Sequence, residues 1–305
     1  MILVVGASGL VGSEVCRRLA SEGKPVRALV RSTADPGKVD ALRAQGVEVA
    51  FGDLRDPASL AQACRDATEV VLTASSMPFS YEPGVNDIAT TDLAGAIHLV
   101  DAARAAGTVR RFVYVSFSGN IDLEFPLRNA KRAVEDHLRL SGIPYTILRP
   151  SYFMEVWLSP AVGFDAANAT ATVYGTGDNP ISWISLADVA AFAALAVDSP
   201  AARNATLELG GPVALTPHDV VAAFERLAGR PFTVQHVPAE ALLAQQQAAT
   251  DPMQQSFSGL MRCYAQGDTI DMAAALRALP AELTTVETHA ARSLGVVPEE
   301  VGAAR

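Results

Sequence analysis

A glycine-rich turn near residue 10 constrains the fold of this chain more than any other feature of its sequence. The run VVGASGLVG occupies residues 4–12, where it ends the apolar stretch Ile2–Val5 and opens an amphipathic one. Gly6 allows a tight turn, Gly9 lets a phosphate group approach the backbone, and Gly12 lets the following helix pack close to the sheet. The N–H groups and the positive dipole end of that helix then face the phosphates. We therefore predict a dinucleotide-binding turn formed by Gly6, Ser8, Gly9, Leu10, Val11 and Gly12.

Short apolar runs alternate with amphipathic stretches through the first half of the chain, a pattern typical of βαβ units and a parallel sheet. The predicted strands are Ile2–Val5, Val26–Val30, Val47–Phe51, Val70–Thr73, Arg111–Ser116 and Tyr145–Leu148. The predicted helices between them are Gly12–Ser21, Val39–Ala44, Pro57–Cys64, Thr91–Ala106 and Leu127–Ser141. We predict an α/β fold with a Rossmann-type doubly wound parallel sheet, whose ligands bind at the carboxyl edge of the strands.

The pattern becomes less regular after Pro150. The segment Ser151–Pro180 is rich in aromatic residues, Gly and Asn, and predicts loops with a short strand. Later helices are predicted at Ser185–Asp198, Thr216–Ala228, Ala239–Ala249 and Pro252–Gln266. We therefore predict a cofactor-binding domain at residues 1–150 and a smaller C-terminal α/β substrate lobe at residues 151–305, partly interleaved with the first.

Composition limits the classes of partner. Half of the 305 residues are apolar, which is enough for a large core, and the net charge of −9 leaves no broad basic surface for nucleic acid. The longest apolar stretch, Val189–Val197, is too short to span a membrane, and the first residues lack the features of a signal peptide. Three scattered cysteines without paired spacing indicate reduced thiols and no metal site. We expect a cytoplasmic monomer or homodimer that binds a small molecule.

The residue that ends the second predicted strand favours NADP(H) over NAD(H). An NAD-preferring site would place an acidic residue there to bind the ribose. This chain has Arg31 after Val30, and a guanidinium can pair with a 2′-phosphate that a carboxylate would repel. We predict NADP(H) as the cofactor, with Arg31 at its 2′-phosphate.

The GxxGxxG spacing resembles the short-chain dehydrogenase/reductase superfamily. By that resemblance Asp53 and Leu54 flank the adenine, although Asp53 is also a candidate cap for the helix that begins at Pro57. The resemblance also places three small residues along the adenosine and ribose, namely Thr73, Ala74 and Ser75. Ordinary members carry a Tyr-x-x-x-Lys pair in which the Tyr exchanges a proton during hydride transfer. Here Lys131 is present, but Leu127 stands at the tyrosine position.

A longer set of motifs resembles the NmrA-like group of atypical short-chain dehydrogenases. It comprises the run from Lys131 to Pro150, the strand-like Phe112–Ser116 and the segment Trp183–Ala190. That group includes quinone reductases, isoflavone and phenylcoumaran reductases, and redox sensors that no longer catalyse. The resemblance implies that Lys131 contacts the nicotinamide ribose and relays a proton. The alternative is an ion pair between Lys131 and Glu135 on a solvated helix face.

Other candidate residues follow the fifth and sixth predicted strands. Ser116 ends the fifth strand and is expected near the nicotinamide. Tyr152 follows the sixth strand and carries a hydroxyl, so we take Ser116, Tyr152 and Lys131 as candidate catalytic residues. Aromatic and flexible apolar side chains nearby suit an aromatic or quinone-like substrate. The candidate substrate residues are Met77, Phe79, Phe153, Met154 and Trp157.

Three functions remain open from the sequence. The first is NADPH-dependent reduction of a hydrophobic quinone, carbonyl or enone, with water or Lys131 providing the proton. The second is a non-catalytic sensor that binds NADP(H) and acts through a protein partner, which the missing tyrosine favours. The third, an epimerase or dehydratase with a retained cofactor, is the one that the missing tyrosine disfavours most.

Overall fold

The computed structural model describes residues 1–296, so residues 297–305 of the predicted substrate lobe lie outside the described residues. Within residues 1–296 the chain forms two sheets. The strands are β1 (Ile2–Val5), β2 (Val26–Val30), β3 (Glu48–Phe51), β4 (Glu69–Leu72), β5 (Arg111–Val115), β6 (Tyr145–Pro150), β7 (Phe164–Asp165), β8 (Thr170–Tyr174), β9 (Ala205–Leu209) and β10 (Thr233–Val237).

Helices cover the sheets and form much of the second half of the chain. They are α1 (Leu10–Ser21), α2 (Pro36–Ala44), α3 (Pro57–Cys64), α4 (Ala96–Ala106), α5 (Pro126–Leu140), α6 (Met154–Trp157), α7 (Leu186–Ala196), α8 (Pro217–Ala228), α9 (Ala239–Ala248), α10 (Pro252–Gln266), α11 (Ala273–Ala278) and α12 (Val286–Leu294). A π-helical segment, Ile88–Gly95, runs directly into α4, and two 3₁₀ turns occupy Pro160–Val162 and Pro200–Ala202. No helix in this described part is both long and apolar enough to cross a membrane.

The central sheet has the strand order β3-β2-β1-β4-β5-β6-β9, and all of its pairs are parallel. Every residue of β1 and β5 is buried, as expected for parallel strands covered by helices on both faces. The strand order reverses direction between β1 and β4, and such a switch point opens a crevice at the carboxyl ends of the strands. The predicted α/β fold with a doubly wound parallel sheet is confirmed.

The second sheet is small and packs with the later helices. Its order is β10-β8-β7, with β10 parallel and β7 antiparallel to β8. Its core contains an aromatic cluster in which Trp157 and Tyr264 stack with ring centroids 5.6 Å apart. This sheet lies in the region predicted as the substrate lobe, but β9 from the same region pairs with β6 in the central sheet. The boundary at residue 150 stays a prediction.

Most element bounds follow the sequence pattern, and the exceptions have physical reasons. The strands β1 and β2 and the helices α3 and α10 match the predicted bounds. The strand β9, which completes the seven-stranded central sheet, was not predicted because it lies at the sheet edge and mixes polar with apolar residues. The helix predicted from Thr91 begins earlier, as the π-helical segment, because Asp87 and Thr90 form a capping box before it.

Two leucines on α5 test how strongly the core depends on one helix face. Leu138 is fully buried among the residues between α5 and the sheet, whereas Leu140 is 85% exposed. We expect Leu138→Ala to lower the free energy of unfolding by about 2–5 kcal/mol because it removes buried methyl groups and leaves a cavity. Leu140→Ala should change it by about 0.5 kcal/mol or less. Urea unfolding of both variants measures the difference, and equal losses would contradict the packing described.

Candidate functional site

The turn between β1 and α1 requires glycine at two positions for steric reasons. Gly6 has a φ of +90°, and a Cβ there would lie 2.6 Å from the backbone nitrogen of Ala74. A Cβ on Gly12 would lie 2.2 Å from the carbonyl oxygen of Gly6. Gly9 is less constrained by the protein, since its Cβ would meet that same oxygen at 3.2 Å. The turn therefore brings α1 against the sheet and leaves open space above Gly9.

The first turn of α1 is free to bind an anion. Gly9 is the N-cap residue, and no side chain caps the helix. Ser8 is half-buried, and Leu10 is 57% exposed beside the open turn. Because the first N–H groups of a helix lack partners within it, they point toward the space where a phosphate would lie. This cradle, built from close backbone contact and uncapped N–H groups, fits a dinucleotide pyrophosphate.

A basic residue lies next to this cradle. Arg31 follows β2, is exposed, and forms no ion pair within residues 1–296. The neighbouring carboxylate of Asp53 is bound by Arg55, whose guanidinium nitrogens donate at 2.9 and 2.7 Å. That hydrogen bonding lowers the pKa of Asp53, and the charge of Arg31 adds to the effect. Arg31 therefore remains available to a 2′-phosphate.

The other predicted adenosine-side residues lie at the ends of β3 and β4. Asp53 does not cap α3, because Asp56 fills that role by accepting a hydrogen bond from Ala58. Leu54 is buried against the helices that cover this face of the sheet. Thr73 donates to the carbonyl of Val5 at 3.2 Å. The predicted stretch Thr73, Ala74 and Ser75 is thus adjacent to the glycine turn, and its contact with a cofactor stays a prediction.

An apolar pocket of about 160 Å³ continues from the glycine turn toward the second sheet. It extends from Val11 on α1, past the ends of β4, β5 and β6, to α10. Among the lining residues in the described part of the chain, Lys131 is the one charged side chain. The lining residues are Val11, Thr73, Ser75, Met77, Pro78, Val115, Ser116, Phe117, Ile121, Leu127, Lys131, Pro150, Ser151, Tyr152, Phe153, Val156, Trp157, Val162, Phe257 and Leu260.

Lys131 forms a buried ion pair that the sequence did not predict. Its side chain is 6% exposed, and Nζ lies 3.5 Å from Oδ1 of Asp92, whose side chain is fully buried. The other oxygen of Asp92 accepts hydrogen bonds from the backbone nitrogen of Ser76 at 3.0 Å and from its hydroxyl at 2.6 Å. The alternative of a solvated pair between Lys131 and Glu135 is wrong.

Glu135 instead binds three arginines and a serine. Its side chain is fully buried and pairs with Arg132, Arg139 and Arg149. Ser116 donates its hydroxyl proton to Glu135 at 2.6 Å. Burial alone would raise the pKa of Glu135, but hydrogen bonds from Arg149 and Ser116 outweigh it and the pKa is lowered. Ser116 lines the pocket with its proton already committed, so it can accept but not donate a hydrogen bond there.

The hydroxyl of Tyr152 is also occupied. It donates to the carbonyl of Leu260 at 3.0 Å, and the residue is 3% exposed. The ring packs edge-on against Trp157 with centroids 4.8 Å apart. Burial raises the pKa of Tyr152 well above its usual value. This geometry favours Tyr152 as a fixed pocket wall, and its predicted part in catalysis remains untested.

The structure brings some predicted substrate residues together and separates others. Met77, Phe153 and Trp157 line the pocket. Met154 points into the core with no exposure, and Phe79 is 61% exposed and does not line the pocket. Neither is among the lining residues, and their predicted contact with a substrate stays a prediction. Two contributors from α10, Phe257 and Leu260, were missed, since their long sequence distance from β6 gave no signal.

The Glu135 network predicts a large stability difference between two neighbouring acidic residues. Glu135→Ala removes the one carboxylate that pairs with Arg132 among residues 1–296 and leaves Arg139 and Arg149 with one acidic partner each, so we expect the free energy of unfolding to fall by about 3–5 kcal/mol. Asp136 is 73% exposed and pairs with Arg139 on the surface. Asp136→Ala should therefore cost about 1 kcal/mol or less. Denaturant unfolding compares the two, and a tolerated Glu135→Ala would refute the structural role of this network.

Comparison with known proteins agrees with this architecture. The model of the NmrA-like family matches residues 1–290. An isoflavone reductase homologue from Zea mays is 33% identical over 268 residues, 83% of this chain and 82% of the relative. An NAD(P)H azoreductase from Xenophilus azovorans is 35% identical over 234 residues, 76% of this chain and 75% of the relative.

A solved structure has the same fold. It is the NADPH-dependent quinone oxidoreductase of Escherichia coli in complex with NADPH, with a TM-score of 0.75 and 25% identity. The similarity covers 96% of this chain and 99% of that one. Together with the family match over nearly the whole sequence, these results show that the chain belongs to the NmrA-like family.

Proposed function

We propose that this protein uses NADPH to reduce a planar, hydrophobic quinone, carbonyl or enone. The coarser predictions, an oxidoreductase with an NADP(H) cofactor, are confirmed by relatives named as reductases and by solved neighbours that hold NADPH. The observation that carries the finer proposal is the apolar pocket that begins at the glycine turn, in which Lys131 is the one charged lining residue among residues 1–296.

The cofactor would be held by groups that the fold leaves without other partners. The uncapped start of α1 would bind the pyrophosphate, and Arg31 would bind the 2′-phosphate. Asp53 is already neutralised by Arg55, so it adds little repulsion toward that phosphate. Bound NADPH would supply a hydride to the substrate. The remaining requirements, orientation and a proton, fall to residues of this chain.

The lining of the pocket selects for a neutral, flat substrate. Phe117, Tyr152 and Trp157 offer aromatic surface, and aliphatic side chains fill most of the rest. A phosphorylated or carboxylated substrate would lose its hydration with only Lys131 to compensate, which is costly in an apolar site. A quinone would lose little hydration and could place one oxygen near Lys131.

Lys131 is the group best placed to handle the charge that develops during reduction. Transfer of a hydride makes the substrate anionic, and the ammonium of Lys131 would stabilise the new oxyanion and donate its proton to it. The quinone would gain the hydride and the proton of Lys131 and become the hydroquinone, with both electrons supplied by the bound cofactor, and Lys131 would recover a proton from water. Ser116 and Tyr152 are less suited to donate because their hydroxyl protons are bound to Glu135 and Leu260.

The same occupied hydroxyls support a second candidate function, a non-catalytic sensor of NADP(H). Leu127 fills the position of the usual proton donor and lines the pocket. A sensor must bind NADP⁺ and NADPH with different affinities, because a ligand shifts an equilibrium only through differential binding. Calorimetric affinities for both forms, together with turnover on a panel of quinones, distinguish the two functions.

The cofactor preference is tested by reversing one charge. Arg31→Asp should lower kcat/KM for NADPH by about 10- to 100-fold, the effect of losing a charge-assisted hydrogen bond, and should improve the use of NADH relative to NADPH. Arg104→Asp makes the same charge change on an exposed side chain of α4 and should leave the preference unchanged. Retention of the NADPH preference in Arg31→Asp would refute the assignment of this residue.

The reaction itself is tested by replacing the pocket cation. Lys131→Met should lower kcat for quinone reduction by about 10²- to 10⁴-fold, as expected for loss of a general acid, while NADPH still binds. Tyr152→Phe distinguishes the two candidate donors, since it should keep kcat within about threefold if the hydroxyl only orients the wall. Steady-state kinetics with a panel of quinones measures both. Absence of NADPH oxidation with every quinone, carbonyl and enone of a broad panel would exclude the proposed function.

A further inference from the structure

Asp92 stands out among the buried polar groups because it contacts both Lys131 and the loop that carries part of the pocket wall. Its oxygens have separate partners. Oδ2 accepts two hydrogen bonds from Ser76, and Oδ1 faces the ammonium of Lys131 at 3.5 Å. Oδ1 makes no hydrogen bond within residues 1–296, so Lys131 is its ion-pair partner. We propose that Asp92 is a positioning residue that keeps the amine of Lys131 protonated and directed into the pocket.

Within residues 1–296, no other acidic group forms an ion pair with Lys131. Glu135 lies one turn further along α5 but is paired with three arginines. The ring of Tyr114 lies below the ammonium, with Nζ 5.4 Å from its centroid. Burial raises the pKa of Tyr114 well above its usual value, and the charge of Asp92 adds to this, so the phenol stays neutral. The charge of Lys131 is therefore balanced by Asp92 alone among these neighbours.

Burial makes this balance necessary. An ammonium in an apolar environment favours the neutral amine, which cannot donate a proton to an oxyanion. A carboxylate within ion-pair distance opposes that tendency. Asp92 is itself held on the π-helical segment and by Ser76, which immediately precedes the pocket residues Met77 and Pro78. The carboxylate of Asp92 thus has two roles. It balances the charge of Lys131, and through Ser76 it holds the segment that leads into the pocket residues Met77 and Pro78.

This inference rests on the proposed function, so the experiment begins with quinone turnover by the unmodified protein. Asp92→Asn keeps the size of the side chain and removes its charge. We expect kcat to fall by about 10- to 100-fold, below the full effect of losing a general acid, while KM for NADPH stays within about twofold because the phosphate cradle is untouched. Asp101→Asn, at a carboxylate on α4 whose side chain is 41% exposed, is the matched control and should leave kcat unchanged.

A double-mutant comparison separates positioning from a general structural effect. If Asp92 acts through Lys131, Asp92→Asn should cause no further loss in a Lys131→Met background. Equal losses in both backgrounds, or no loss in either, would overturn the proposal. If Asp92→Asn alone fails to fold, the double variant removes both buried charges and can still be compared with Lys131→Met. Ser76→Ala should then give a smaller loss that also disappears without Lys131.

A measurement without turnover keeps the inference distinct from the proposed function. Acetic anhydride acetylates neutral amines, so the rate at Lys131 reports its charge, and the exposed Lys38 provides an internal reference. Peptide mass spectrometry should show Lys131 reacting at least about fivefold faster, relative to Lys38, in Asp92→Asn than in the unmodified protein. An unchanged ratio would refute the role of Asp92 even if quinone reduction is observed. An increased ratio without turnover would support it and refute the proposed function.

Discussion

The arrangement of charge at this site depends on Glu135, which joins the carboxyl ends of β5 and β6 to α5. Its carboxylate accepts the hydroxyl of Ser116 and the guanidinium groups of Arg132 and Arg149. These contacts bind the guanidinium groups of Arg132 on α5 and Arg149 on β6, which therefore add no unpaired positive charge near the pocket. Lys131, one turn earlier on α5, has a different partner and is the single cation in the lining formed by the described part of the chain. The rest of the lining is mostly apolar side chains.

The glycine turn and the arginine network have complementary parts in this geometry. The close approach of Gly12 to the carbonyl of Gly6 sets the distance between α1 and the sheet, and in the proposed function this distance would define the space for a pyrophosphate. The network around Glu135 fixes where α5 presents Lys131 on the other side of the same sheet edge. A cofactor bound at the turn would then extend along the ends of β4 and β5 toward Lys131. Neither feature alone defines a site for hydride transfer.

Much of this could be predicted from the sequence because the information is local. The glycine spacing, the buried strands and the arginine after β2 are each contained within a few residues, and their periodicity predicts the central sheet. The pair of Lys131 and Asp92 spans 39 positions, and no pattern in either segment indicates it. The hydrogen bond from Tyr152 to Leu260 spans 108. Contacts of this kind are set by tertiary packing. They determine whether a hydroxyl in the pocket, such as that of Tyr152, can still donate a hydrogen bond to a ligand.

Leu127 shows how one substitution changes the chemistry that the scaffold can perform. At the position that matches the tyrosine of ordinary short-chain dehydrogenases, Leu127 is buried and its apolar side chain lines the pocket. The site therefore gains room and hydrophobic surface for a flat substrate but loses the phenol that would donate a proton. In the proposed reaction, catalysis would depend on orientation, worth several kcal/mol of the barrier in favourable cases, and on one ammonium. A reaction whose product tolerates a negative charge, as a hydroquinone anion does, places the smallest demand on that proton, and this argues for quinones over simple carbonyls.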